Sequence, residues 1–105
     1  MTGRDALMQL RRLFTAGNWC RYKMHRKWAG KDYYCFVGGL RHVTGLDFQG
    51  EAIHLDAFHE AQSAFVKAIG GRDPMNFNDN QESVDAVIEK IDEAVLILDH
   101  QATAS

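Results

Sequence analysis

Residues 84–98, Val84-Asp85-Ala86-Val87-Ile88-Glu89-Lys90-Ile91-Asp92-Glu93-Ala94-Val95-Leu96-Ile97-Leu98, set the fold class. Val84, Val87, Ile88, Ile91, Val95 and Leu98 recur at three- and four-residue intervals and so share one side of an α-helix, while Asp85, Glu89, Lys90, Asp92 and Glu93 cover the other. A stripe of this kind has to be buried against further elements. Asp79-Asn80-Gln81-Glu82, just ahead of it, has the D-x-x-E form of a capping arrangement, and the acidic first turn suits the positive end of the helix dipole.

Working back along the chain, Phe58, Ala61, Phe65, Ala68 and Ile69 give a third helix the same periodicity, with Asp56 as cap and Gly70-Gly71 as stop. Arg72–Asn80 then reads as a loop broken by Pro74. Phe36, Val37, Leu40 and Val43 predict a second helix, capped by Asp32 and ending at Gly45. Gly38-Gly39 in its middle costs about 1 kcal/mol per glycine relative to alanine, which predicts a close approach of another backbone. Thr2-Gly3-Arg4-Asp5 is a weaker relative of a capping box, and Leu7, Leu10 and Phe14 follow at helical spacing, so the first helix covers about residues 3–16. Between the first two helices, Trp19, Arg21, Lys23 and Cys20, Tyr22, Met24 alternate as in a strand, with Ala29-Gly30 as a turn. The expectation is one mainly α domain over residues 1–105, a compact bundle of four helices with a short extended or hairpin element between helices 1 and 2.

The composition supports a core: 46% of the 105 residues are hydrophobic and one is proline. No signal peptide and no run approaching the ~20 apolar residues of a membrane span is visible, which predicts a cytoplasmic protein with no membrane association. Cys20 and Cys35 then read as reduced thiols rather than a disulfide. The net charge of −2 conceals a division. Residues 1–45 hold nine Lys/Arg against Asp5 and Asp32, a formal +7, and residues 46–105 hold three against twelve acids, a formal −9. Such asymmetry points to an anionic partner or is neutralised within the molecule.

The positive charge concentrates around Trp19-Cys20-Arg21-Tyr22-Lys23-Met24-His25-Arg26-Lys27-Trp28, with Arg11 and Arg12 able to widen the patch. Trp19, Arg21, Tyr22, Lys23, Arg26, Lys27 and Trp28 are the candidate binding residues, because cations attract anions while aromatic faces stack on bases or bury against a protein. Packing aromatics with solvated neighbours, docking against the chain's own acidic helix or an acidic protein partner, and nucleic acid or a nucleotide are the three readings. The pI near 6.2 opposes a general nucleic-acid binder. Cys35, beside the start of the second helix, is the candidate nucleophile, with His25, His42, His54, His59 and His100 as available bases and Asn78 or Asp79 as an orienting group. A small buried structural cysteine is the plainer reading. Neither Cys20/His25 nor His54/His59 has metal-ligand spacing, so no metal and no cofactor is expected. The acids of the last helix read as a solvated face. No phosphate-loop, dinucleotide or nucleophile-elbow pattern occurs.

Three pieces, Gly17-Asn18-Trp19, Tyr34-Cys35-Phe36-Val37-Gly38-Gly39-Leu40 and Phe77-Asn78-Asp79 ahead of the terminal helix, resemble in their order a family of small bacterial and phage proteins built on a domain of unknown function. Members show a Gly-Trp after the first helix, an aromatic-Cys-x-x-Gly-Ala-Leu segment, and an aromatic-Asn-Asp before the last helix. Here Gly39 stands in place of the Ala, and Asn18 separates Gly17 from Trp19. The resemblance covers about residues 5–98 and implies a compact helical unit with no established activity. Physically, the three pieces can form one feature, a pocket containing Trp19, Cys35, Asn78 and Asp79. The leading expectation is a non-enzymatic accessory protein that binds a protein partner through residues 19–31. A binder of nucleic acid or of a phosphorylated small ligand is one alternative, and a cysteine-dependent enzyme using Cys35 is the other. The terminal helix packs within the chain or against a second copy; both arrangements are open.

Overall fold

A computed structural model of the chain describes residues 1–45 and 54–103. Within them, α1 (Gly3–Thr15) leads into a hairpin, β1 (His25–Trp28) and β2 (Lys31–Tyr34), followed by α2 (Phe36–Val43), α3 (Leu55–Ala68), α4 (Pro74–Asp79) and α5 (Val84–Thr103). The mainly helical expectation holds, with a fifth, short helix where a loop was predicted.

Local chemistry accounts for most boundaries. The Thr2 side chain accepts from the Asp5 N–H at 3.1 Å, and the Asp5 carboxylate accepts from the Thr2 N–H at 3.0 Å, a complete capping box. Gly70 and Gly71 follow α3 with positive φ, the conformation a helix stop favours. Three expected caps are corrected. Asp32 lies inside β2, and Cys35 caps α2, its Sγ accepting from the Gly38 N–H at 3.4 Å. Asp56 lies in the first turn of α3, and His54 occupies the cap position. Asp79 ends α4 instead of starting α5, and Ser83 Oγ accepts from the Asp85 N–H at 3.1 Å.

Helix α4 was hidden by Pro74. Proline breaks a helix interior but is preorganised for its first turn, where its missing N–H would be unpaired anyway. Here Pro74 opens the helix, and Asp73 accepts from the Met75 N–H at 2.8 Å.

Helices α1, α3 and α5 pack against one another, and α2 lies against α1 with α3 and α4 beside it. Leu7, Leu10 and Phe14 of α1 meet Phe36 and Leu40 of α2, Phe65 of α3, and Val87 and Ile91 of α5 in one buried cluster. The Phe36 and Phe65 rings stack with centroids 3.7 Å apart, and Phe77 closes on Phe65 edge-first at 5.9 Å. Fully burying one such ring contributes on the order of 2 kcal/mol. The apolar stripe of α5 is thus covered within the chain. No helix among the described residues is long and apolar enough to cross a membrane.

The glycines of α2 have separate reasons. A Cβ on Gly38 would overlap the Met24 carbonyl, so the segment before β1 lies directly on the helix backbone. A Cβ on Gly39 would instead meet side chains, Leu10 Cδ1 at 2.5 Å and Phe14 Cε1 at 3.3 Å, both fully buried in the core. Gly38→Ala should destabilise the fold by roughly 2 kcal/mol or more despite the better helix propensity of alanine. Gly39→Ala should cost less, roughly 1 kcal/mol, because side chains yield more readily than backbone and alanine's helix propensity offsets part of the repacking of Leu10 and Phe14. Urea unfolding of the two variants measures the difference, and equal losses would refute this assignment.

Candidate functional site

The centre of the site is Asn78, fully buried at the end of α4. Its Oδ1 accepts from the Trp19 indole Nε1–H at 2.7 Å and from the Phe36 N–H at 3.0 Å. Its Nδ2 donates to the Cys20 carbonyl at 3.1 Å and to Asp79 Oδ1 at 3.3 Å. One carboxamide therefore joins the segment after α1, the start of α2, and α4. All four groups matter, because each buried polar atom left unpaired costs about 1–3 kcal/mol.

The segment from Asn18 to Tyr22 is not the strand that alternation predicted. The Cys20 N–H donates to the Tyr34 carbonyl at 2.9 Å and the Tyr34 N–H to the Asn18 carbonyl at 3.0 Å, which makes a short parallel bridge at Trp19. The chain then leaves extended geometry. Tyr22 has φ of +72°, a left-handed conformation that side chains other than Gly adopt at a cost of about 1 kcal/mol. Its N–H donates to Asp79 Oδ1 at 2.7 Å, and the neighbouring Arg21 guanidinium donates to the Gln81 carbonyl at 3.0 Å. Two adjacent residues are thus fastened to α4 and the loop after it, yet the Tyr22 side chain faces solvent: the residue is 73% exposed.

The hairpin supplies the second wall. Ala29 and Gly30 both have positive φ, the two-residue turn that matches strand twist, and the register pairs Trp28 with Lys31, Lys27 with Asp32, Arg26 with Tyr33 and His25 with Tyr34. Cross-strand partners share a face, and successive residues alternate. Arg26, Trp28 and Tyr33 therefore occupy one face, and His25, Lys27, Asp32 and Tyr34 the other. On the latter, His25 Nε2 donates to Asp32 Oδ1 at 2.8 Å, and Tyr34 stacks between His25 and His42. The His25 hydrogen bond, with Lys27 nearby, holds the Asp32 carboxyl below its ordinary range.

Between Trp19, Arg21 and Tyr22 on one side and Arg26, Trp28 and Tyr33 on the other runs an open groove of about 530 Å³, with Cys20 in its wall. Trp28 is 63% exposed. The Arg21 guanidinium carbon stands 5.4 Å from the Tyr22 ring centre, within cation–π range. Five of the seven candidate binding residues line this groove. Lys23 is exposed on the same segment, and Lys27 belongs to the opposite hairpin face. Tyr33 and Cys20 were not anticipated as lining; the alternation of β2 about the Ala29-Gly30 turn is the signal that could have found Tyr33.

The expected quartet of Trp19, Cys35, Asn78 and Asp79 is drawn together as a packed joint, and of the four only Trp19 lines the groove. Cys35 is 1% exposed. Burial pushes its thiol up, outweighing the opposing hydrogen bonds from the Gly38 and Val37 N–H groups. The helix N-terminus is where Cys35 was expected, and desolvation still wins. Cys20 is shifted the same way by burial, and both cysteines are free. No cluster of three or more potential metal ligands occurs among the described residues.

The fold defines a small helical domain carrying a hairpin between its first two helices. The chain belongs to a family of unknown function, DUF6197, whose model matches residues 1–95. No curated protein and no solved structure matches it. The three sequence pieces singled out above all lie inside the matched range and meet at Asn78.

Asn78→Asp, nearly isosteric, removes both donors and sets a carboxylate against the Cys20 carbonyl and Asp79. It should destabilise the protein by roughly 2–4 kcal/mol at neutral pH. The deficit should shrink as the pH falls and the new acid protonates; denaturant midpoints at pH 7 and pH 4 test both statements. Cys35 should alkylate with iodoacetamide more slowly than a free model thiol at pH 7, since its thiolate is populated only above the ordinary thiol range. A faster rate would revive the nucleophile.

Proposed function

We propose that the protein is a non-enzymatic accessory protein that binds a protein partner through the hairpin face, with Tyr22 and Trp28 as exposed anchors. The observation that carries this reading is Tyr22: a backbone held at φ +72° by Asp79 presents a ring to solvent, where it contributes little packing. Strain held by surrounding contacts at an exposed aromatic is a mark of a preorganised contact surface. Aromatic and arginine side chains are also the residue types that dominate binding energy in interfaces. The resemblance of the three motif pieces supports a bacterial or phage origin, and for a phage product the matching role is to block or tune a host factor. Two free cysteines fit a reducing, cytoplasmic setting.

A second reading, a nucleic acid or phosphorylated ligand, draws on the Arg21 guanidinium over Tyr22 with Arg26 across the groove. Against it stand the net charge of −2 and the removal of Lys27 to the other face. Against the cysteine-dependent enzyme stands the burial of Cys35, which pushes its thiol up.

Tyr22→Gly separates a contact residue from a structural one. Glycine relieves the left-handed strain, so the variant should be as stable as wild type or more so, by up to about 1 kcal/mol. It should nevertheless lose the partner that the wild-type chain captures from its native cell extract, and the purified partner should bind the two forms with a matching difference. If the variant unfolds more easily and still captures the same partner, Tyr22 is a structural residue and the proposal fails.

A further inference from the structure

We infer that the partner segment seated in the groove is a short acidic stretch carrying one aromatic or large aliphatic side chain, inserted between Tyr22 and Trp28 with a carboxylate against Arg26. This rests on the binding face proposed above and names what occupies it.

The charge comes from the distribution of ion pairs. Arg4 and Arg11 of α1 are answered within the chain, by Asp99 at 2.9 Å and by both oxygens of Asp92 at 2.7 and 3.3 Å. Lys90 is answered by Glu93 and His25 by Asp32. Lys23, Arg26 and Lys27 have no ion pair among the described residues. Arg12 of α1 is likewise without an ion pair among the described residues, but of the cations left unpaired it is Arg21 and Arg26 that line the groove. An uncompensated patch favours carboxylates on the partner and repels basic ones.

The anchor comes from shape. A groove of about 530 Å³ walled by aromatic rings takes one large apolar side chain and the backbone beside it. It does not provide the extended basic track that a polynucleotide follows. Lys27 faces away, so the consecutive cations of the segment do not line up along the groove.

Strand alternation builds in a control. Arg26 and Lys27 are adjacent, both exposed and equal in charge, but only Arg26 lines the groove. Arg26→Glu and Lys27→Glu therefore change the net charge identically and differ in contact. The probe is a fluorescein-labelled peptide of Asp and Glu residues with one central Trp, titrated by anisotropy against the full chain to about 1 mM, the weak limit of a specific contact. The wild-type chain should bind it. Arg26→Glu should weaken binding about tenfold and Lys27→Glu less than about threefold, while replacing the peptide's Trp by Ser should also cost about tenfold.

Equal losses in the two charge variants would reduce the effect to non-specific attraction and overturn the inference. So would tighter binding of an oligo-dT strand of equal charge, which would favour the nucleic-acid reading. Capture of a partner that depends on Tyr22, together with no binding of the acidic Trp peptide, overturns the acidic anchor and leaves the binding module standing. Absence of both removes the two together.

Discussion

A single buried carboxamide ties the two halves of the molecule together. Asn78 satisfies an indole, the Phe36 amide, a carbonyl and a neighbouring carboxylate with one side chain, and it has no exposed surface. A buried amide can be retained only when its hydrogen-bonding capacity is met, so the positions of Trp19, Cys20 and Phe36 are fixed together or not at all. The hairpin side of the molecule is arranged around that joint. The chain before Cys20 is held to β2, the chain after it is turned toward Asp79, and the hairpin is pressed onto α2 where Gly38 admits the Met24 carbonyl.

The helical core and the hairpin face are stabilised by different physics. Phe14, Phe36, Phe65, Val87 and Ile91 bury apolar area, a non-directional contribution tolerant of modest changes in shape. The surface pairs Arg4–Asp99 and Arg11–Asp92 lie where solvent screens them and contribute little to stability. Their larger effect is on the field around the molecule, because they answer two of the three arginines of α1, whereas Arg21 and Arg26 at the groove have no ion pair among the described residues. The mild net charge is a sum over two ends with different roles.

The sequence is most legible where structure is local. The capping box at Thr2 and Asp5, the stripe of α5 and the stop at Gly70-Gly71 each need only a few neighbouring residues to be recognised. Gly38-Gly39 announced a close approach, though not that Met24 would make it. Helix α4 escaped because Pro74 was read as a breaker, when Asp73-Pro74 is equally a helix start. The quartet of Trp19, Cys35, Asn78 and Asp79 was foreseen as neighbours, but whether neighbours enclose a space or fill it depends on packing from elements far away in sequence. The same limit hid the division of Arg26 from Lys27: a strand shifted by one residue exchanges its faces, and only the observed register shows which cation meets the groove.

Three of the four hydrogen bonds that converge on Asn78 link positions separated by 42 to 59 residues. A chain emerging from its N-terminus therefore exposes the basic, aromatic segment long before the residues that organise it exist. Until Phe77-Asn78-Asp79 has been made and has packed, Tyr22 has no partner for its amide and Trp19 none for its indole. The same side chains are first a loose polycationic stretch and only afterwards a shaped surface. The shape of this face is consequently a property of the folded molecule, delayed during synthesis by the distance in sequence between the surface and the residue that holds it.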